Sequence, residues 1–364
     1  MKKHTPGAVI AACVVAIITG FLQVFALPLS VMCVLGTIIA PVLFAWAGLI
    51  PALLFLAVSI GSLGAVFATL QTTSGVTGAL VGAGFAGAGA LLVGVPSAVI
   101  MALMARRAPY FTRMKAAVGV QLAALLALIL ALYAMLGRSL VDVAMENLTA
   151  WADGLPPQMA AFMLQQFAVT GAGTYMSQET ALQILTEGVS EAECFDMLHS
   201  IFETMGQALR LGLPAMLLSS GLVTGLFATA VPGRICARRG DDLEYVPLSA
   251  WFVPVRLTIG VVVCLLTAGI LYAAKVNGAE SVLNAVLTAG SVIYAAAGAA
   301  ALSRRFKEAG RSPVFRTVMI ALGLWFVTRL VTFIGIYSVL FGRRGLISGY
   351  VKKKMEERNK EDDD

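Results

Sequence analysis

The sequence has few charged residues and few groups that could carry out enzyme chemistry. Only 13% of its 364 residues are charged, and its two histidines are His4 and His199. Soluble proteins carry about 25% charged residues, so a soluble globular domain and a disordered chain are both excluded. The GxxxxGK phosphate loop, the HExxH zinc motif and the GxSxG hydrolase motif are all missing. We therefore predict no catalytic residue and no ATPase activity in this chain.

Cysteine is also sparse. The five cysteines form no CxxC pair, and only two of them lie outside apolar runs. The sequence therefore predicts no disulfide framework, no zinc site and no cofactor. The net charge of +6 could indicate a nucleic-acid partner, but basic residues also gather at the cytoplasmic ends of membrane helices. The position of the bases between apolar runs favours the second interpretation, and we predict no nucleic-acid partner.

Apolar residues make up 59% of the chain, and the mean hydropathy is +0.87. A helix needs about 20 apolar residues to cross a bilayer, and backbone groups inside lipid must be satisfied within the helix. The stretches that qualify are residues 7–27, 29–49, 51–71, 77–105, 116–137, 211–232, 255–274, 282–303 and 314–341. We predict an all-α, polytopic transmembrane helical bundle of eight or nine spans in the cell membrane.

Lysine and arginine set the predicted orientation because they are enriched in cytoplasmic loops. Lys2 and Lys3 place the N-terminus in the cytoplasm. Counting crossings from there, the basic turns at residues 106–115, 234–239 and 304–316 all return to the cytoplasmic side.

The loop 138–210 falls on the opposite side of the membrane. It contains nine acidic residues and only Arg138 and Arg210 as strong bases, so we predict that it is extracytoplasmic. The same rule fails at stretch 314–341, which has basic residues beyond both ends. Either the C-terminus lies outside or one of the nine candidates does not cross, and both alternatives stay open.

This loop contains two helical patterns. Ser190 and Glu193 form the pattern of a capping box, and the residues behind it repeat apolar side chains at helical spacing. These apolar residues are Phe195, Leu198, Ile201, Phe202, Met205 and Leu209. A second short helix is suggested by Val141, Ala144, Leu148 and Trp151. We predict an extracytoplasmic insertion of amphipathic helices that acts as a structural cap or as a substrate gate.

Arg329 is the one charged residue in the middle of a candidate span. An unpaired cation at that depth costs about 2.5–3.5 kcal/mol, so we expect it to face the bundle interior, a water-filled cavity or a polar partner. It would then contact an anionic ligand, and we include Asn284 among the candidate ligand-binding residues. The structural alternative is that Arg329 pairs with backbone carbonyls, with Asn284 or with Gln121.

Small residues indicate close helix packing at two places. Gly78 and Gly82 form a GxxxG motif in a glycine-rich span, which predicts either a close helix contact or a flexible helix that lines a cavity. Ala8, Ala12 and Ala16 lie on one face of the first helix. That face invites a partner helix, either from this chain or from another protein.

The order of these features resembles the YybS-like family of bacterial polytopic membrane proteins. The matching elements are Leu27-Pro28, Pro41, the glycine-rich fourth span, Pro214, Trp251-Phe252-Val253-Pro254 and the closing Gly342-Arg343-Arg344. The N-terminal helices of that family are similar to the S components of energy-coupling-factor transporters. The resemblance implies that Ala8, Ala12 and Ala16 dock a transmembrane coupling protein, with ATPase subunits on separate chains.

Four regions follow from these patterns. Residues 1–137 form an N-terminal five-helix membrane region, which is the S-component-like part, and residues 138–210 form the insertion. Residues 211–345 form a C-terminal membrane region of three to four helices, and residues 346–364 form a charged flexible tail. We predict a substrate-binding transport component without its own ATPase, or alternatively a structural or assembly protein that acts through helix–helix partners. An intramembrane enzyme would need a polar cluster in the spans, and none is evident in the sequence.

Overall fold

The computed structural model describes residues 5–26, 29–70, 75–171, 176–186 and 190–341. Leu27-Pro28, Gly342-Arg343-Arg344 and the predicted tail lie outside these ranges. The helices are α1 (Pro6–Ala26), α2 (Leu29–Ala47), α3 (Leu49–Leu70), α4 (Gly75–Gly89), α5 (Val95–Ala105), α6 (Tyr110–Leu136), α7 (Leu140–Asp153), α8 (Pro157–Gly171), α9 (Gln178–Thr186), α10 (Glu191–Arg238), α11 (Val255–Ala273), α12 (Ala279–Glu308), α13 (Pro313–Phe326) and α14 (Thr328–Phe341). A five-residue π-helix, Ala90–Gly94, joins α4 to α5.

The described residues contain six helices that are long and apolar enough to cross a membrane, or seven if α13 and α14 count as one bent span. The six lie at Leu49–Thr69, Gly82–Ala105, Tyr110–Leu136, Glu193–Arg238, Arg256–Ala273 and Ala279–Glu308. Pro6–Leu22 and Val34–Ala47 are shorter apolar helices. The predicted all-helical architecture with several apolar spans is confirmed, while the number of eight or nine crossings stays a prediction.

The bundle has two ends that differ in chemistry. At one end, Arg107, Arg239 and Arg304 contact neighbouring segments at the ends of α5, α10 and α12. We call this end the basic face. The opposite end holds α7, α8, α9 and the first turns of α10, and we call these segments the cap. Their apolar residues form a core separate from that of the bundle, which shows that the cap is a packed unit.

The cap is joined to the bundle by one uninterrupted helix. The 48 residues of α10 are about 72 Å long, more than twice the hydrocarbon thickness of a bilayer. The predicted boundary at residue 210 therefore falls inside a continuous helix. The capping box of Ser190 and Glu193 is confirmed at the start of α10. Helix α7 is also present, but Trp151 is 53% exposed and the buried residues on its inner side include Val141 and Ala152.

The stretch 314–341 is not the straight span that its apolar composition suggested. Its two helices are bent by 111° at Val327, and each contains 14 residues, or about 21 Å of helix. Neither half alone reaches across a hydrocarbon core of about 30 Å. A uniformly apolar sequence does not reveal such a break because both halves have the same composition.

Helix α14 runs in the opposite direction to α12. Gly298 faces the backbone of Val331, while Gly335 faces the backbone of Tyr294, so the numbering rises on one helix as it falls on the other. A side chain at either glycine would collide with the facing backbone. The two glycines therefore allow the close backbone approach that drives helix association in lipid.

Candidate functional site

One apolar span departs from regular α-helix geometry at the π-helix Ala90–Gly94. Pro96 follows Leu92 by four residues, and proline has no amide hydrogen to donate to the carbonyl oxygen at that distance. The proline ring also clashes with that carbonyl, and the helix widens so that the Val95 amide bonds to Ala90 O, five residues back. The Leu92 carbonyl therefore loses its usual α-helical donor.

Two polar side chains from other helices reach this carbonyl oxygen. Thr37 Oγ1 of α2 lies 3.3 Å from Leu92 O, and Gln121 Nε2 of α6 lies 3.4 Å from it. Thr37 is 1% exposed and Gln121 is 2% exposed, and both lie near the middle of their helices. Ser97, which follows on α5, is fully buried. We call these four residues the mid-span cluster.

Several polar atoms in this region have no hydrogen-bond partner among the described residues. They include Gln121 Oε1 and Ser97 Oγ of the mid-span cluster, and Thr224 Oγ1 on the part of α10 that packs against α6. An unsatisfied buried polar group costs about 1–3 kcal/mol. The spans therefore contain buried polar groups with unused bonding capacity, which sequence analysis missed because none of them is charged or forms a motif.

A second buried polar group lies at the basic face. Arg113 is fully buried, and its Nε donates to Ala108 O at 3.0 Å while its Nη2 donates to the main-chain oxygen of Glu244. The carboxylate of Glu244 accepts the backbone amide of Tyr110 at 3.0 Å. Arg113 therefore ties the segment after α10 to the start of α6. Sequence analysis counted it only among the bases that set orientation.

The other arginines of the basic face bind main-chain carbonyls. Arg239 donates to Ala45 O at 3.0 Å, where α2 ends with unsatisfied carbonyls and a partial negative charge. Arg304 donates to Ser249 O and Trp251 O, both at 3.2 Å. These contacts hold the segment between α10 and α11 against the bundle. The arginines of the basic face therefore stabilise the packing of these segments.

Two hollows lie elsewhere. A small cavity of about 30 Å³ at the basic face is lined by Met104, Ala105, Arg107, Cys236, Asp241, Asp242 and Leu243. An open groove of about 290 Å³ between α3 and α4 is lined by Gly61, Gly64, Ala65, Ala68, Ala79, Gly82, Ala83 and Ala86. Neither hollow is lined by a residue of the mid-span cluster.

The structure does not bring the predicted ligand residues Arg329 and Asn284 together. Arg329 lies in the first turn of α14 and is exposed, and no described residue forms a hydrogen bond or ion pair with its side chain. Asn284 lies near the cap end of α12, where its Nδ2 donates to Leu211 O at 3.3 Å. Gln121 bonds to Leu92 instead of Arg329. The expected interior position of Arg329 is not found, and its ligand role stays a prediction.

The helix break explains how an exposed Arg329 is tolerated. Arg329 precedes Val331 by two residues, and Val331 faces Gly298 of α12. Because α12 and α14 are antiparallel, Arg329 lies at the same height along the bundle as about residue 300 of α12. Residue 300 is four residues, or about 6 Å along α12, from Arg304. A long arginine side chain can extend over that distance toward a polar interface.

The predicted small-residue faces pack within this chain. Ala12 and Ala16 are fully buried in the bundle core, where α1 packs against α3, and Ala8 is half-buried. Gly82 lies against Gly64 of α3, and the environment of Gly78 is outside the described part of the chain. The sequence allowed the alanine face to pack against a helix of this chain or of another protein, and the structure shows a helix of this chain, α3. Docking of a separate protein there stays a prediction.

Comparison with known families adds one assignment. The family described as predicted membrane protein, DUF2232, matches residues 158–340, which is half of the chain. The chain belongs to the DUF2232 family. The match runs from α8 of the cap to α14, so the cap without α7 and the C-terminal membrane helices of this DUF2232 chain carry the family pattern. No curated protein and no solved structure matches the chain.

Membership in DUF2232 agrees with the apolar helices of the structure, and the chain is a membrane-embedded protein in contact with lipid. The residues of the mid-span cluster lie before the matched region. Among the described residues, no three His, Cys, Asp or Glu side chains gather in a way that could hold a metal ion. The side chains of the mid-span cluster of this DUF2232 chain, Thr37, Gln121 and Ser97, supply neutral hydroxyl and amide groups.

Proposed function

We propose that this protein is a substrate-binding component of a membrane transport system and that a small polar solute binds at the mid-span cluster. The observation that carries the proposal is the unsatisfied Gln121 Oε1 beside a carbonyl that Pro96 has deprived of its helical donor. Membrane transporters commonly place their solute sites near the bilayer midplane, at irregular helices whose backbone groups face the site. The close packing of the cluster means that the solute enters only when the surrounding helices move apart.

The proposed protein lies in the cell membrane with its N-terminus and basic face in the cytoplasm and its cap outside. This orientation is supported by the concentration of arginines at the basic face and of acidic residues in the cap. The bend at Val327 allows α13 to lie along the cytoplasmic surface instead of crossing. Solute would then approach from the cap side.

The proposal includes separate partner subunits. The chain lacks a phosphate-binding loop, so energy from ATP would have to come from another chain, as the YybS-like and S-component resemblance implies. A transmembrane coupling protein would meet the lipid-exposed side of α1, because Ala12 and Ala16 are covered by α3. We propose no enzymatic reaction, since the sequence contains neither the HExxH nor the GxSxG motif and its two histidines are His4 and His199.

Thiol accessibility in membranes tests this proposal. A variant without native cysteines receives Thr37→Cys, and a matched variant receives Leu35→Cys on the lipid-exposed side of the same helix. A charged, membrane-impermeant methanethiosulfonate reagent reacts only with a thiolate in water. We expect modification at residue 37 and none at residue 35. If residue 37 stays unmodified from both sides of the membrane, the cluster is dry and the proposed solute site is wrong.

A second candidate function is that of a structural or assembly protein that acts through helix–helix partners. It is favoured by the open groove between α3 and α4, whose glycine and alanine lining would admit a helix of another protein. The test is the substitution Ala65→Leu in the open part of that groove, and the control is Gly84→Leu, where an added Cβ meets open space. Loss of a co-purifying membrane partner from the first variant alone would favour this function.

A further inference from the structure

We propose that the mid-span cluster binds a sodium ion. The inference rests on the proposed function, because it takes the cluster to be a binding site and names one ligand for it. The candidate ligands are Leu92 O, Thr37 Oγ1 and Gln121 Oε1, with Ser97 Oγ beside them on α5.

The donor set selects the class of ion. All candidate ligands are neutral oxygens, which suit hard cations, and they include neither thiolate nor imidazole. The mid-span cluster contains no carboxylate, and no Asp or Glu lies inside the apolar body of a candidate span. Two positive charges would therefore lack compensation in lipid, whereas one charge can be stabilised by carbonyl and hydroxyl dipoles. The site consequently favours a monovalent over a divalent cation.

The spacing of the oxygens fits a cation of sodium's size. Ligands at about 2.3–2.6 Å from an ion in near-octahedral arrangement lie about 3.4 Å from one another. Thr37 Oγ1 lies 3.3 Å from Leu92 O, and Gln121 Nε2, whose position Oε1 takes when the amide rotates, lies 3.4 Å from the same oxygen. These separations are long for hydrogen bonds but match the edges of such a coordination shell.

The amide of Gln121 can present its oxygen to the ion by a simple rotation. In the structure Nε2 points to Leu92 O while Oε1 has no hydrogen-bond partner among the described residues. Turning the terminal amide by half a revolution exchanges the two atoms. A cation beside Leu92 O would favour that rotation, because it attracts the amide oxygen and repels the amide N–H groups.

The surroundings also favour access for cations over anions. The cap segment from 138 to 210 carries nine acidic residues against two arginines, and this excess of negative charge raises the local concentration of cations at that end of the bundle. Unwound backbone carbonyls in membrane transporters bind sodium ions that are coupled to solute. The sodium ion would then accompany the solute.

The direct test measures ²²Na⁺ binding and thermal unfolding of the full chain in detergent. Sodium chloride is exchanged for choline chloride at constant ionic strength, with potassium and calcium chloride as competitors. We expect saturable ²²Na⁺ binding and a melting temperature that rises with sodium concentration, because a ligand that binds only the folded state stabilises it. Calcium should compete poorly. Absence of saturable sodium binding to the wild-type protein would overturn the inference without any variant.

Two variants locate the ion. Thr37→Val and Gln121→Leu each remove one oxygen ligand and should weaken sodium binding about tenfold or more. The matched control is Thr229→Val, which removes an equally buried hydroxyl that donates to Gly225 O and Leu226 O of its own helix and forms no part of the mid-span cluster. The control should bind sodium like the wild type. Equal loss in all three variants, or loss in none, places the ion elsewhere and contradicts the inference.

The outcome separates this inference from the proposed function. If residue 37 is water-accessible but sodium has no effect, the solute site stands and the sodium site is wrong. If residue 37 is inaccessible and sodium has no effect, both are wrong, and the polar groups serve only to satisfy the π-helix.

Discussion

The contact between α3 and α4 gives the sharpest prediction of stability. A Cβ atom added at Gly82 would lie 2.5 Å from Gly64 O and 2.7 Å from Ala68 Cβ, so Gly82→Ala must push the two helices apart. Overpacking of this kind costs about 1–3 kcal/mol. The matched control is Gly84→Ala on the same helix, where a Cβ would meet open space, and a glycine-to-alanine change without strain stabilises by about 0.4–1 kcal/mol.

The two variants should therefore differ by about 1.5–4 kcal/mol in the free energy of unfolding. Thermal unfolding followed by tryptophan fluorescence in one detergent measures the difference. It should appear as a lower melting temperature for Gly82→Ala and an equal or higher one for Gly84→Ala. Equal melting temperatures would refute the packing argument, since they would show that α4 does not approach α3 through Gly82.

Three further predictions concern single side chains. Arg113→Ala should lower the free energy of unfolding by about 3 kcal/mol, because it removes charge-assisted hydrogen bonds from a buried site. The control Lys115→Ala, on the exposed side of the same helix, should have little effect in the same unfolding assay. Arg329→Ala should change the free energy of unfolding by no more than about 0.5 kcal/mol. Failure of this variant to fold would show that Arg329 faces the bundle interior. Ser190→Ala should speed amide hydrogen exchange in the first turn of α10 about fivefold, since the capping box is lost; unchanged exchange would contradict the role of this cap.

The existence of the helices was predictable from sequence because lipid leaves the backbone little choice. An apolar run of sufficient length must satisfy its own amide and carbonyl groups, so composition alone indicates a helix. The capping box at Ser190 was equally readable, since it depends on residues only three positions apart. Such local signals do not determine how far a helix continues. Helix α10 therefore passes from the cap into the bundle where the change in composition suggested a boundary.

The bend at Val327 shows why the depth of a residue in the bilayer is harder to predict than whether that residue lies in a helix. Counting residues along a straight span placed Arg329 at the bilayer centre, where an unpaired cation is costly. The bend and the antiparallel contact of Gly298 with Val331 place it close to the level of Arg304 instead. The positive-inside rule failed at stretch 314–341 on the assumption of one straight crossing, and the 111° bend removes that assumption, while the side of the C-terminus stays a prediction.

The mid-span cluster depends on contacts that no local pattern encodes. Thr37 and Gln121 are separated from Leu92 by 55 and 29 residues, and their side chains are common in membrane helices. The one local signal is Pro96, which deprives Leu92 of its donor and so predicts a carbonyl that needs another partner. A proline inside an apolar span therefore identifies a specific oxygen four residues earlier, but only the packing of α2 and α6 shows which side chains reach it. The same dependence on packing makes the cluster testable, since replacing Thr37 or Gln121 changes the chemistry around that oxygen without changing the proline that exposes it.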